Sequence, residues 1–123
     1  MIVRRSEECA EIVANDGCRL RELLHPSRGA PGLSFSLASA KLEPGEATCP
    51  HRLTHESETY YIVSGHGRIV VEGASEFLRP GDVAVVPIGA EQYIECAGPD
   101  TLQFLNIVDP PWQLDHDVRS DRD

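Results

Sequence analysis

Short apolar runs separated by turn residues dominate the chain from residue 33 onward. The runs are rich in β-branched and aromatic residues, and Gly, Pro or Asp stands at nearly every break, which is typical of an antiparallel sandwich or barrel. No segment of this region has the period of a long amphipathic helix. The pattern therefore predicts an all-β fold whose eight strands are carried by the runs LSFSLASAKL, ATCPHRL, ETYYIVS, RIVVE, EFLRP, VAVVPI, QYIECA and TLQFLNIV.

The two ends of the chain are patterned less clearly. The run CRLRELLHP, residues 18–26, has the composition of a strand or of a short helical turn, and Pro26 ends it in either case. We expect residues 1–32 to form an N-terminal extension that adds an extra strand or a subunit contact. The whole chain, 1–123, is expected to be one domain with its barrel at 33–112. An acidic tail follows at 113–123, of which 115–123 are expected to be solvated and poorly ordered.

Composition and charge narrow the classes of function. The chain has 123 residues and a formal net charge of −9, which argues against a nucleic-acid partner because phosphate binding needs a basic surface. Apolar runs are too short to span a bilayer, and the N-terminus lacks the apolar segment of a signal peptide, so we expect a cytoplasmic protein without membrane contact. The four cysteines show no C-x-x-C spacing and indicate free thiols.

The candidate chemistry lies in residues 49–65. Because strand residues alternate between two faces, a strand that turns His51 inward also turns Cys49 and Leu53 inward. Glu58 and Tyr60 share one face of the next strand, so His51 and Glu58 can approach each other across a hairpin. A buried imidazole and carboxylate are either metal ligands or a hydrogen-bonded pair, since an unpaired buried carboxylate is costly.

This stretch resembles the first sequence motif of the cupin family, G-x5-H-x-H-x3,4-E-x6-G. Four positions match, and a leucine stands where the second histidine would be: Gly45, His51, Glu58 and Gly65, with Leu53. The second motif, G-x5-P-x-G-x2-H-x3-N, matches at its glycines and proline and departs at its last two positions: Gly81, Pro87 and Gly89, with Gln92 for histidine and Cys96 for asparagine. The resemblance implies a small single-domain cupin, a double-stranded β-helix or jelly-roll barrel. The flanks at 18–26 and 104–112 resemble those of phosphomannose isomerase-like bacterial cupins.

The resemblance also implies a metal site, in a weakened form. A typical cupin holds its metal with three histidines and one glutamate, and this chain offers His51, Glu58 and Gln92 as metal ligands. Leu53 cannot bind a metal, and a glutamine carbonyl suits Mg, Mn or Fe better than Cu or Zn. The expected cofactor is a divalent metal ion such as Mn, Fe, Ni or Zn.

Other assignments of these residues stay open at this point. His55 falls in a predicted turn but could swing inward to replace the missing imidazole, and Cys49 could supply a thiolate. His51 and Glu58 could also be a polar pair in a pocket without a metal.

The resemblance implies a small-molecule ligand and leaves the kind of function open. As an enzyme, the chain would act on a sugar-like molecule or a hydroxy or keto acid by isomerase-type or oxygenase-type chemistry. Glu58 is then the candidate general base, and Tyr60 is a second catalytic candidate because its hydroxyl could reach the pocket. The alternatives are a non-catalytic binding protein with a degenerate site and an interaction protein. Small cupins commonly dimerise through their sheets, so a homodimer is expected.

Overall fold

The computed structural model describes residues 1–120 and confirms the all-β prediction. Each of the eight runs contains a strand, and the described residues hold two short 3₁₀ helices, Ser6–Glu8 and Leu114–His116. None of the described helices is long and apolar enough to cross a membrane. The strands are Glu11–Val13 (β1), Arg19–Leu24 (β2), Ser36–Leu42 (β3), His51–Leu53 (β4), Ser57–Ser64 (β5), Gly67–Val71 (β6), Ala74–Leu78 (β7), Val83–Val86 (β8), Gln92–Cys96 (β9), Leu102–Asp109 (β10) and Asp117–Arg119 (β11).

Two antiparallel sheets carry the candidate residues on opposite sides of the interior. The six-stranded sheet has the order β1-β2-β3-β10-β5-β8, and the five-stranded sheet has the order β11-β4-β9-β6-β7. Glu58 and Tyr60 lie on β5 in the first sheet. His51 on β4 pairs with Gln92 on β9 in the second sheet. The fold thus brings together side chains from two sheets.

The alternation along β5 places Glu58 on the same face as apolar core residues. Glu58, Tyr60 and Ile62 are 5%, 1% and 0% exposed, as the period of two predicts. The Tyr60 ring packs against Phe104 of β10 with a centroid separation of 5.5 Å. Burying such a side chain contributes about 1.5–3 kcal/mol to folding. A carboxylate among these neighbours must be compensated by partners.

Gly65 at the turn between β5 and β6 cannot be replaced without strain. Its φ of +78° lies in the left-handed region, and a Cβ at this position would collide with the backbone of Thr101 and Leu102. The glycine therefore lets the turn approach the start of β10. This explains why the motif carries glycine here.

Both terminal segments join the sheets. Residues 19–24 form a strand rather than a helical turn, and β1 and β2 extend the six-stranded sheet next to β3, as predicted for the extension. At the other end β11 pairs with β4, with Arg119 opposite His51. The expectation of a poorly ordered tail is wrong for residues 115–120, because this pairing and a 2.9 Å hydrogen bond from Trp112 Nε1 to Asp117 Oδ2 fix the segment. Residues 121–123 lie outside the described residues.

A buried carboxylate anchors the C-terminal segment. Glu56 is 2% exposed, and its Oε2 accepts a 2.6 Å hydrogen bond from His116 Nδ1. The His116 ring also stacks on His55, with centroids 4.0 Å apart. The hydrogen bond to Glu56 raises the pKa of His116 above its ordinary value. A protonated His116 therefore stabilises the attachment of this segment.

We expect the substitution His116→Gln to lower thermal stability in a pH-dependent way. Because the pKa of His116 is raised in the folded state, its contribution is full below the unfolded value of about 6.5 and is lost as the pH rises through the raised pKa. Melting temperatures of the two proteins should differ most near pH 6 and converge as the pH rises through the raised pKa of His116. His66→Gln, at an exposed position, is the control. A gap of the same size at every pH would contradict an ionised pair.

Candidate functional site

A cavity of about 460 Å³ opens between the inner face of the six-stranded sheet and strands β4 and β11. Its volume is in the range of small-molecule sites. Exposed apolar side chains of Ile12, Val13 and Leu114 stand at its mouth. The polar and charged side chains of its wall are Asn15, Asp16, Glu22, Arg28, Ser36, His51, Glu58, Asn106, Asp117 and Arg119.

His51 and Glu58 meet on the wall of this cavity. Nε2 of His51 lies 3.9 Å from Oε1 of Glu58, and both side chains are at least nine-tenths buried. Nδ1 of His51 is 2.8 Å from the carbonyl oxygen of Cys49, which can only accept, so Nδ1 carries a hydrogen and donates it. This bond fixes the orientation of the ring and leaves Nε2 as the atom directed toward Glu58.

His51 and Glu58 are both buried, and each affects the pKa of the other. Burial raises the pKa of Glu58 in spite of the neighbouring His51. Burial opposes the imidazolium of His51, yet the carboxylates of Glu58 and Asp16 outweigh it and raise the pKa of His51 to about 9. An imidazolium beside a carboxylate is net neutral, which avoids burying a net charge. Asn106 supports the carboxylate, since its Nδ2 donates a 2.7 Å hydrogen bond to Glu58 Oε2.

Gln92 and Tyr60 form a second buried pair behind this wall. The Tyr60 hydroxyl donates a hydrogen bond to Oε1 of Gln92, and both residues are 1% exposed. Neither side chain lines the cavity. Burial also raises the pKa of the Tyr60 hydroxyl, which keeps it protonated as a donor. The ligand role of Gln92 and the catalytic role of Tyr60 stay predictions.

The remaining candidates are dispersed. Leu53 is buried and lines the cavity, so the position of the missing histidine is occupied by an apolar wall. His55 is exposed and stacks on His116 away from the cavity, and it does not take the place of the missing imidazole. Cys49 does not line the cavity, and the Cys96 thiol donates a 3.1 Å hydrogen bond to the carbonyl of Asp100.

The donor set of this site fits a weakly held divalent metal. In the described part of the chain, no three His, Cys, Asp or Glu side chains converge as metal ligands would. The 3.9 Å between His51 Nε2 and Glu58 Oε1 is nevertheless within the roughly 4.2 Å that two metal–ligand bonds of about 2.1 Å can span. Oε1 of Gln92 has a second lone pair beside its bond to Tyr60. As a predicted third ligand, Gln92 offers a neutral amide oxygen, a donor that suits harder ions such as Mn or Fe.

Asn106, Asp16 and Asp117 are among the polar residues of the wall that were not found from the sequence. Asn106 carried a signal, since it is the polar member of the buried series Leu102, Phe104, Asn106 and Val108 on β10. No signal in the sequence marked Asp16 and Asp117, because the pattern of predicted strands puts their terminal segments outside the barrel. Their position depends on β1–β2 and β11–β4 pairing, which local pattern does not reveal.

A family model and several known proteins match much of this chain. The family model described as "Cupin domain" matches residues 38–108, more than half of the chain. The oxalate-binding protein of Thermotoga maritima is 30% identical over 112 residues, which are 88% of this chain and 93% of that protein. A 5-aminosalicylate 1,2-dioxygenase of Comamonas sp. is 42% identical over 88 residues, which are 71% of this chain but only 23% of the dioxygenase.

A solved structure resembles the fold over nearly its full length. The crystal structure of a predicted oxalate decarboxylase from Thermotoga maritima matches with a TM-score of 0.78 and 26% identity. The match covers 89% of this chain and 99% of that chain.

Proposed function

Because the chain belongs to the cupin family, as its two motifs indicate, we propose that it binds a small polar molecule in the barrel cavity beside a divalent metal ion. Cupin relatives commonly bind divalent metals. In this proposal His51, Glu58 and Gln92 hold the ion. The observation that carries the proposal is the buried pair of His51 and Glu58, whose facing atoms lie 3.9 Å apart on the cavity wall.

Each residue of the site has a separate task in this proposal. A bound metal ion would supply a Lewis acid for an oxygen substituent of the ligand. In the isomerase version Glu58 is instead the general base and does not bind the metal, since burial raises the pKa of this carboxyl in the metal-free protein. Asn106 orients Glu58 through its 2.7 Å bond, and Tyr60 positions Gln92. Leu53 adds an apolar wall that limits the entry of water.

The names of the relatives suggest two kinds of chemistry for this cavity. One relative is named for binding oxalate and the other for dioxygenation of an aromatic acid. An isomerase-type reaction requires a general base beside the ligand, and a carboxylate can serve as one. The proposal extends to Glu58 as that carboxylate and leaves the reaction to be assigned by product analysis.

Metal titration tests the proposed function. Chelator-treated protein should bind one equivalent of Mn²⁺ or Fe²⁺ by calorimetry, and His51→Ala should remove this binding. His55→Ala, at the exposed turn, is the matched control and should bind as the wild type does. Equal binding by the wild type and His51→Ala would sink the proposal.

A metal-free binding protein is the second candidate function. It is favoured by the apolar Leu53 on the cavity wall and by the hydrogen bond that engages Gln92 with Tyr60. In that case a small molecule would raise the melting temperature of chelator-treated protein as much as that of metal-loaded protein. A rise that depends on the metal would exclude this candidate.

We also propose a homodimer formed through the outer face of the six-stranded sheet. Tyr61 and Val63 of β5 and Val83 and Val85 of β8 are exposed on this face, and β8 is an edge strand. A second copy related by a two-fold axis would cover the apolar face and pair the edge. Light scattering should give a dimer for the wild type and a monomer for Val85→Lys, with the exposed Phe77→Lys on β7 as control. A monomeric wild type would contradict this.

A cytoplasmic location and the absence of a nucleic-acid partner stay predictions.

A further inference from the structure

Two buried oxygen atoms on the cavity wall have no hydrogen-bond donor among the described residues. They are Oδ1 of Asn106 and Oδ1 of Asp117. Asn106 is 95% buried, with an exposed fraction of 5%. A buried acceptor without a donor is costly, so a hydrogen-bond donor on a molecule that fills the cavity would stabilise each oxygen.

Neighbouring bonds fix both atoms as acceptors on residues that line the cavity. Nδ2 of Asn106 donates to Glu58 Oε2 at 2.7 Å, so the carbonyl end of the amide points away from that carboxylate. Trp112 Nε1 donates to Asp117 Oδ2 at 2.9 Å, which leaves the other carboxylate oxygen free of that bond. The cavity wall thus presents two acceptors whose positions are set by other side chains.

The charges on the wall nearly cancel, since the carboxylates of Asp16, Glu22, Glu58 and Asp117 stand against the cations of Arg28, Arg119 and protonated His51. Asp16, Glu58 and Asp117 would repel a dicarboxylate, which also has no hydrogen to donate to the two oxygens. The Arg28 side chain is 70% exposed and pairs with Glu22 at 3.2 Å, so its charge is matched within the wall and a neutral ligand leaves this balance unchanged. A neutral hydroxyl group can donate to one neighbour and accept from another, and so it satisfies both kinds of partner.

We propose that the cavity binds a neutral polyhydroxylated molecule, a sugar or polyol, with hydroxyl groups that donate to Asn106 and Asp117. This inference rests on the proposed small-molecule function and names its ligand class. It selects neutral hydroxyl compounds over the dicarboxylates for which one relative is named. The cavity of about 460 Å³ has room for such a molecule.

Ligand titration of the full chain tests the ligand class. The probes are mannose, glucose and myo-inositol on one side and oxalate, malonate and succinate on the other, measured by calorimetry and by ligand-observed NMR. The informative variant is Asp117→Asn: its amide oxygen can still accept from Trp112, while its NH₂ group replaces the oxygen that has no donor. We expect this variant to bind the polyol about tenfold more weakly. Asp115→Asn, exposed two residues earlier, is the matched control.

The outcomes separate this inference from the proposed function. Binding of a neutral polyol that weakens in Asp117→Asn and not in Asp115→Asn supports the inference. Binding of dicarboxylates alone overturns the ligand class, while a metal that depends on His51 would still support the proposed function. Polyol binding unaffected by Asp117→Asn overturns the role of the two oxygens. If no probe of either class binds, the inference is overturned as well, and the metal titration then decides the proposed function independently.

Discussion

Replacing Leu53 by histidine is expected to raise the affinity of the protein for Ni²⁺ or Zn²⁺ by about 100-fold. Leu53 is buried on the cavity wall two residues from His51, on the same strand and the same face. An imidazole there would join His51 and Glu58 as a third strong donor. The affinity for the softer ions should rise most, because they bind an imidazole nitrogen better than an amide oxygen.

Competition with a chromogenic chelator measures this change. Arg52→His is the matched control, since residue 52 lies on the same strand but faces outward. The control should leave the affinity for the metal unchanged. Equal affinities of Leu53→His and the wild type would contradict the placement of a metal between His51 and Glu58.

The second large effect is expected in the stability of the metal-free protein. His51→Leu and Glu58→Leu should each lower the free energy of unfolding by about 3 kcal/mol, because each leaves a buried polar partner uncompensated. The double variant should cost at least about 1 kcal/mol less than the sum of the two single variants, since it removes both polar groups together. Urea unfolding in the presence of chelator measures all four proteins.

The comparison of the double variant with the two single variants measures the interaction between His51 and Glu58, not the loss of either side chain. Additive losses in the double variant would show that the two groups are independent in the folded protein. Thr59→Val, on β5 beside Glu58 but on the opposite face, is a control and should change the free energy of unfolding by less than about 1 kcal/mol.

Much of the barrel could be predicted from the sequence, because residues close together in the chain mark its strands and turns. Alternation along β5 and β10 marks the inward residues, and glycine and proline mark the turns, of which Gly65 is a clear case. The approach of His51 and Glu58 was also predicted, but the hairpin expected between them is wrong, because β4 and β5 lie in different sheets that face each other. The strand pattern and the turns depend on residues that lie a few positions apart in the chain.

The rest of the site depends on pairing between distant segments. Asp117 reaches the cavity only because β11 pairs with β4, a contact between residues more than sixty positions apart, and the acidic composition of the tail suggested solvent instead. Asp16 arrives in the same way through the N-terminal strands. The hydrogen bond of Tyr60 with Gln92 joins the two sheets, so its geometry was not accessible from either strand alone.

The terminal segments therefore contribute to the site itself. Asp16 from the N-terminal extension and Asp117 from the C-terminal strand stand on the same cavity wall as His51 and Glu58. The charges of Asp16 and Asp117 also raise the pKa of Glu58, after the larger effect of burial. Removal of either segment should change ligand binding as well as stability.

The most direct test of the account is a crystal structure of the protein grown with Mn²⁺ and measured at a wavelength that gives anomalous signal from manganese. A metal held by His51 and Glu58 would give an anomalous peak within bonding distance of His51 Nε2 and Glu58 Oε1 that is absent from His51→Ala crystals. A manganese peak elsewhere on the chain with none between these two atoms, or no peak at all, would contradict this placement of the metal.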